Sequence, residues 1–320
     1  MACTLWVLAR ARDAGLKKLE RVPPGVRLVV GDTPEAFDGQ PPADAIFVCS
    51  MGRELLRSVL PKAPTARWVH SRSAGIEGIV FPGLAESGVT VTNGRGVFSP
   101  SLAEWVIGAI LYFAKDFRRL VESQRAGKWD PFPPEMVQGR WMGIVGYGDI
   151  GRAVAARARS LGMRVRGLRR RAGEPPGDPA PDEMLPAERL TDLMALSDDI
   201  VVSTPLTPQT RGLIGEREIR AMKPTGVLIN VGRGAVVQER PLVDALRARA
   251  IRGAALDVFE TEPLPAGHPF YALDNVLLSP HSADQVPGWL DDAMEAFLQN
   301  LDRFLAGRPL QNVVDPRSGY

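Results

Sequence analysis

The chain has 320 residues, 45% of them hydrophobic and 24% charged, with a formal net charge of +2. That length suits two domains rather than one core, and the composition is ordinary for a globular protein. The near-neutral charge gives no reason to expect nucleic acid or an acidic membrane as a partner. No apolar run is long enough to span a bilayer. The N-terminal stretch MACTLWVLARARDAG has too short an apolar run for a signal peptide and no basic region before it.

Cys3 and Cys49 sit in or beside strand-like runs and are expected as small buried residues or free thiols, not as a disulfide. A cytoplasmic protein is the simplest expectation.

Short apolar runs at 5–9, 27–30, 45–49, 67–70 and 89–92 read as strands. Helix-like segments lie between some of them, at 53–60 and at 76–87, the latter interrupted by Pro82 and Gly83. Strand alternating with helix predicts a parallel α/β sheet covered on both faces. Ser73-Ala74-Gly75 follows the fourth strand, where free backbone N–H groups can face a carboxylate. A plain turn is the alternative for that tripeptide.

From Ser99 the pattern is that of a helix start, with Pro100 in the first turn and a capping box from Ser101 to Glu104. The spacing predicts one helix to about Gln124. Trp105, Ile107, Ile110, Leu111 and Phe113 give it more apolar surface than a connector needs, so part of it, with the loop to Gln138, is expected to pack on a second subunit.

Trp141–Val145 then reads as a buried strand feeding Gly146-Tyr147-Gly148-Asp149-Ile150-Gly151 and an Ala/Arg-rich helix, with a second strand at 163–168. This is the context a dinucleotide fingerprint requires. Gly146 suits the tight turn, Gly148 the approach of a pyrophosphate, and Gly151 the packing of helix on strand. The helix start supplies N–H groups and a dipole for the anion. A ligand-free glycine turn is the alternative.

At the end of the second strand, where an NAD site carries a carboxylate for the ribose hydroxyls, this chain has Leu168-Arg169-Arg170-Arg171. Guanidinium groups bind a 2′-phosphate that a carboxylate would repel, so the sequence favours NADP(H), with NAD(H) as the second choice. A solvated arginine run is the other reading. Residues 172–186 read as a surface loop rich in Pro, Gly and acids. Further buried strands are expected at 199–203, 226–230, 253–257 and 275–279, with helices at 241–250 and 289–305.

Polar residues collect past three of these strands: Asn230-Val231-Gly232-Arg233-Gly234, the carboxylates Asp257, Glu260 and Glu262, and Pro280-His281-Ser282. Ligands of open α/β sheets bind beyond the carboxyl ends of the strands. Arg233, flanked by glycines that would let its backbone lie against a ligand, suits a substrate carboxylate. His281 suits the proton donor for carbonyl reduction, and Glu262 beside it would favour the charged, donating form. Each of the three also has a structural or solvated reading when taken alone. No metal ligands are expected.

With these motifs the chain resembles the D-isomer-specific 2-hydroxyacid dehydrogenase family. The resemblance rests on GYGDIG (146–151), TPLTPQTRGLIG (204–215), MKPTGVLINVGRGAVV (222–237), GAALDVFETEPLP (253–265) and SPHSA (279–283), and more weakly on HSRSAGIEGI (70–79). It implies Arg233, Glu262 and His281 as the catalytic set, and Ala74 and Gly75, with Arg233, as the substrate-carboxylate site. It implies cofactor contacts from the backbones of Asp149, Ile150 and Val231, from Thr204 and Pro205, and from Asp257 toward the nicotinamide carboxamide.

The implied fold is α/β with two Rossmann-like domains. A doubly wound parallel-sheet cofactor domain (99–284) is inserted into a flavodoxin-like substrate domain (1–98 plus 285–320). A homodimer through the cofactor domains is implied as well. Arg169 stands where NAD-using members carry Asp, which resembles the NADPH-preferring glyoxylate and hydroxypyruvate reductases. Reduction of bulkier 2-keto acids, or a dinucleotide-sensing corepressor role, is the competing expectation.

Overall fold

A computed structural model of the chain describes residues 3–170, 177–317 and 319. It divides into two compact units, Met1–Phe98 with Pro287–Tyr320, and Ser99–Val286. The sequence puts the second crossing at 284/285; the contacts put it at 286/287. Both units are α/β with parallel sheets.

The first unit opens with β1 (Cys3–Leu8), β2 (Val26–Gly31), β3 (Ala45–Val48), β4 (Trp68–Ser71) and β5 (Thr90–Asn93), and with helices α1 (Arg53–Val59) and α2 (Pro82–Glu86). The second contains α3 (Ser99–Ala114), α4 (Phe117–Arg125), β6 (Trp141–Val145), α5 (Asp149–Ser160), β7 (Arg164–Arg169) and β8 (Glu183–Pro186). It continues through α6 (Leu190–Leu196), β9 (Asp199–Val202), α7 (Glu216–Ala221), β10 (Val227–Asn230), α8 (Glu239–Arg247), β11 (Gly253–Leu256) and β12 (Val276–Leu278). The chain returns to the first unit with α9 (Trp289–Leu305) and β13 (Val313–Val314).

The first sheet has the order β13-β5-β4-β3-β1-β2, parallel except for β13. The second has the order β12-β11-β10-β9-β6-β7-β8 and is parallel throughout. In each, strand order reverses beside the first strand, at β1/β3 and at β6/β9. Such switch points are where open α/β sheets take ligands. The central strands are apolar runs buried on both faces; every residue of β1, β9, β10 and β11 is buried. Burial of that kind, at roughly 25 cal/mol per Å² of apolar surface, drives the folding of each unit.

Three structural expectations are corrected. The helix expected to reach Gln124 stops at Ala114, and α4 starts anew after Asp116, which has φ 47° and whose carboxylate accepts from Arg119 N at 3.3 Å. Ser101 and Glu104 form no capping box: the helix already begins at Ser99, Ser101 Oγ donates to Ala283 O at 2.5 Å, and Glu104 pairs with Arg157 at 3.3 Å. The stretch 172–186 is not all loop, since Glu183–Pro186 adds a strand to the edge of β7.

Ile110 and Phe113 enter the unit's own core, whereas Phe117, Leu120 and Val121 on α4 and Trp129 beyond it are exposed. Cys3 and Cys49 are buried free thiols, and burial pushes the Cys49 thiol up to about 12. Among the described residues no helix is long and apolar enough to cross a membrane.

Candidate active site

The glycine turn after β6 is tied to both of its neighbours in the sheet. Gly146 N and Tyr147 N donate to Leu168 O at 2.9 and 3.1 Å, and Ser203 Oγ donates to Gly146 O at 2.9 Å. Gly146 has φ 97°, a conformation that side chains rarely allow. A Cβ on Gly151 would stand 2.8 Å from Gly146 O, so the helix can pack this closely only with glycine there. A Cβ on Gly148 would meet nothing within 4 Å, and no side chain caps the helix at that residue. The first N–H groups of α5 therefore keep their capacity for an anion. The Asp149 carboxylate accepts from the Ser99 hydroxyl and pairs with Arg152 at 3.4 Å, which leaves its backbone for a ligand. Ile150 is half-buried in the same first turn.

Thr204 follows β9 directly beside Gly146. Its hydroxyl is buried and has no hydrogen-bond partner among the described residues. Pro205 O accepts from Thr210 Oγ1 at 2.6 Å, and Thr207 N donates to the same hydroxyl at 2.8 Å, fixing the loop. An orphan buried hydroxyl beside an open glycine and an uncapped helix start is a set that fits a dinucleotide pyrophosphate and its ribose. Arg169 is half-buried at the end of β7, one residue beyond the carbonyl that holds the glycine turn, and Arg170 is exposed. Arg171, the third arginine of that run, lies outside the described residues.

The turn after β10 is built by Asn230. Its Oδ1 accepts from Gly232 N and its Nδ2 donates to Arg233 O, both at 3.1 Å. Arg233 Nη1 donates to Gly232 O at 2.7 Å. The flanking glycines also make close protein contacts possible. A Cβ on Gly232 would stand 2.8 Å from Thr204 O, and one on Gly234 would overlap Phe259 C at 1.8 Å. Gly234 thus lets the loop after β11 lie directly on the Arg233 turn. Val231 N is already used by the sheet, donating to Val202 O at 3.0 Å.

In that loop Glu262 Oε1 accepts from Phe259 N at 2.9 Å, and Oε2 lies 2.7 Å from His281 Nδ1. A carboxylate oxygen accepts, so Nδ1 carries the proton and Nε2 is left to gain or lose one. His281 has φ 51°, held by His281 N to Asp257 O at 2.9 Å and by Gln285 Nε2 to His281 O at 2.8 Å. Buried Asp257 shapes the same loop: its Oδ1 accepts from Ser282 N and Ala283 N at 3.0 and 3.1 Å. The second unit therefore brings Glu262 and His281 into contact, with Asp257 bracing the histidine's loop.

Asp284 is a group that sequence reasoning missed. Burial pushes its carboxyl up, Asp257 adds to the rise, and His281 and Arg233 oppose it. Its neighbours in the sequence carry the only signal, since Asp284 directly follows the SPHSA motif.

The first unit holds Ala74 and Gly75 in the turn after β4. Gly94 N donates to Ser73 O at 3.1 Å, and Asn93 Nδ2 donates to Ala74 O. Asn93 and Gly94, at the end of β5, thus bond the Ala74 and Ser73 carbonyls of the turn. Neither was singled out from sequence, because a strand-end Asn-Gly reads as an ordinary turn.

Two parallel sheets and a fingerprint turn put the chain in the class of α/β dinucleotide-dependent oxidoreductases. The profile of D-isomer specific 2-hydroxyacid dehydrogenase, NAD binding domain, matches residues 107–283. The chain is 35% identical over 275 residues to a glyoxylate reductase of Thermofilum pendens, covering 82% of this chain and 78% of that one. It is 32% identical over 279 residues to a D-3-phosphoglycerate dehydrogenase of Methanocaldococcus jannaschii, covering 85% of this chain and 52% of that one, so it spans about half of that relative's length. A solved D-isomer specific 2-hydroxyacid dehydrogenase from Xanthobacter autotrophicus Py2, in complex with NADPH and MES, is similar at TM-score 0.81 and 30% identity, with 100% of both chains covered. The chain belongs to the D-isomer specific 2-hydroxyacid dehydrogenase family.

Proposed function

We propose that the protein reduces a small 2-keto acid of the glyoxylate or hydroxypyruvate type to its D-2-hydroxy acid, using NADP(H) in preference to NAD(H). The observation that carries the reading is the 2.7 Å contact of Glu262 with His281 Nδ1, in a chain whose relatives include glyoxylate reductases. Ser99–Val286 is the cofactor domain, and Met1–Phe98 with Pro287–Tyr320 the substrate domain. The backbones of Gly146, Gly148, Asp149, Ile150, Gly151 and Val231, with Thr204, Pro205 and Asp257, hold the dinucleotide. Arg169 and Arg170 hold its 2′-phosphate.

When bound, the reduced nicotinamide supplies the hydride. His281 Nε2 gives a proton to the carbonyl oxygen, and Glu262 accepts from Nδ1–H and so keeps the ring correctly turned. Arg233 binds the substrate carboxylate, and the N–H groups of Ala74 and Gly75 serve that carboxylate too. In the oxidative direction His281 starts neutral and takes the proton from the hydroxyl.

Exposed Phe117, Leu120, Val121 and Trp129 support a homodimer through the second unit. Two buried free thiols suit the reducing cytoplasm. The test is consumption of NADPH with glyoxylate and hydroxypyruvate. Turnover is expected with both; a protein that binds NADPH yet reduces neither acid contradicts the reading.

A further inference from the structure

The switch point of the first sheet, between β1 and β3, carries a polar cluster that the reaction scheme does not use. Arg72, the residue after β4, donates from Nη1 to both oxygens of Asp13 at 3.0 Å and lies 3.1 Å from Cys49 Sγ. Its guanidinium carbon is 5.6 Å from the Trp289 ring centroid, and that ring meets Phe98 at 6.0 Å. The Arg72 and Asp13 side chains are only 15% and 9% exposed, so this is not a solvated surface pair. Asp13 is itself anchored, with Gly15 N donating to Oδ1 at 2.8 Å. Burial, the largest influence, pushes its carboxyl up, but the Gly15 N–H, the Ser50 hydroxyl and Arg72 together hold it below the usual range. Asp13 is therefore a carboxylate at neutral pH.

A guanidinium most often binds a carboxylate with two nitrogens side by side. Arg72 commits Nη1 alone. Among the described residues its Nε and Nη2 have no hydrogen-bond partner, and neither is sealed from solvent. The edge left open belongs to a residue two positions before Ala74, in the turn given above to the substrate carboxylate.

The geometry points to Arg72 as the residue that reads the C3 substituent of the keto acid, selecting a neutral hydroxyl over both a methyl group and a second carboxylate. This rests on the keto-acid reductase reading. Open N–H donors donate to a hydroxyl oxygen and are left unpaired by a methyl group, the kind of mismatch that sites reject strongly. A second carboxylate is disfavoured for a different reason. Asp13 already balances the guanidinium charge, so an incoming anion would meet a neutral pair with a fixed carboxylate beside it. Arg72 sets specificity, and Asp13 acts through it as a positioning and charge-setting residue.

The experiment compares kcat/KM for hydroxypyruvate, pyruvate and oxaloacetate with NADPH in the unmodified protein, Arg72→Leu and Asp13→Asn. Hydroxypyruvate should lead in the unmodified protein. Arg72→Leu should lower the hydroxypyruvate-to-pyruvate ratio by ~10–100-fold, the worth of one charge-assisted hydrogen bond. Asp13→Asn keeps the shape but removes the balancing charge, so it should raise the oxaloacetate-to-hydroxypyruvate ratio by about tenfold. If Arg72→Leu lowers all three substrates in proportion, or Asp13→Asn leaves its ratio unmoved, the assignment is overturned. Absence of reduction of any 2-keto acid by the unmodified protein is a different failure, that of the reductase reading.

Discussion

In the first sheet, polar side chains are buried within the strands and bond one another: Trp68 Nε1 donates to Thr92 Oγ1 at 2.7 Å, and that hydroxyl meets His70 Nδ1 at 2.7 Å. In the second, polar side chains gather past the strand ends, where Asn230, Asp257, Glu262 and His281 bond loop backbone and each other. Thr92 accepts from the indole, and its own proton can go to His70 Nδ1, an arrangement that suits a neutral ring. Burial holds the His70 pKa down at about 3. A histidine inside a sheet is thus kept from titrating, while one past a strand end is given a carboxylate and left half-open. The difference teaches that position relative to the strand end, more than residue type, separates a structural histidine from the one we propose as proton donor.

Substitutions can break that contrast, and His281→Ala should do so most severely. It should lose roughly 10²–10⁴-fold in kcat for keto-acid reduction, the usual worth of a positioned acid. The thermal midpoint should stay nearly unchanged, because the ring is not part of a core. Near-full activity would remove His281 from the scheme.

Arg169→Asp comes next. If two charge-assisted contacts hold the 2′-phosphate, the NADPH-to-NADH ratio of kcat/KM should fall by about 10–100-fold or more. Equal use of both cofactors by the unmodified protein would contradict the role of the arginines. Gly234→Ala tests how the loops are joined. A methyl group cannot occupy a point 1.8 Å from Phe259 C, so the β11 loop must move off the Arg233 turn. Overpacking of this kind costs about 1–3 kcal/mol, and here it should also lower kcat. A variant with unchanged stability and rate would show that the close approach is dispensable.

The smallest effect belongs to His70 and appears only as a pH dependence. Its folded pKa of about 3 lies below the unfolded value of 6.5, so below pH 6.5 the unfolded chain takes a proton that the folded chain refuses. Stability is therefore lost as pH falls from 6.5 toward 3, by roughly 1.4 kcal/mol per pH unit. His70→Asn should be less stable at pH 7 yet lose less between pH 7 and pH 5, as urea midpoints would read. Parallel losses in the two proteins would refute the buried neutral ring.

Much of this architecture is legible in the sequence because buried parallel strands are nearly continuous apolar runs, and the glycine turn has a fixed spacing. What escapes it is decided by distant partners. Nothing in Ala114-Lys115-Asp116 marks a helix break; Asp116 makes one by adopting a left-handed backbone and capping α4. Glu183–Pro186, with an acid and a proline, does not look like a strand until it is seen as an edge. The Arg72–Asp13 pair joins residues 59 apart, and no local pattern announces it. Gly232 and Gly234 are visible as glycines, but which backbone they admit is not.

The central claim is that His281 gives the proton and that Glu262, 2.7 Å from its Nδ1, holds the ring in place to do so. The direct test measures kcat for keto-acid reduction and Kd for NADPH in the unmodified protein, Glu262→Gln, His281→Ala and the double variant. Glu262→Gln keeps the shape but weakens the hold on Nδ1–H, so kcat should fall about tenfold or more while NADPH affinity stays nearly constant. Added to His281→Ala, it should cost nothing further. Losses that simply multiply in the double variant would contradict the account.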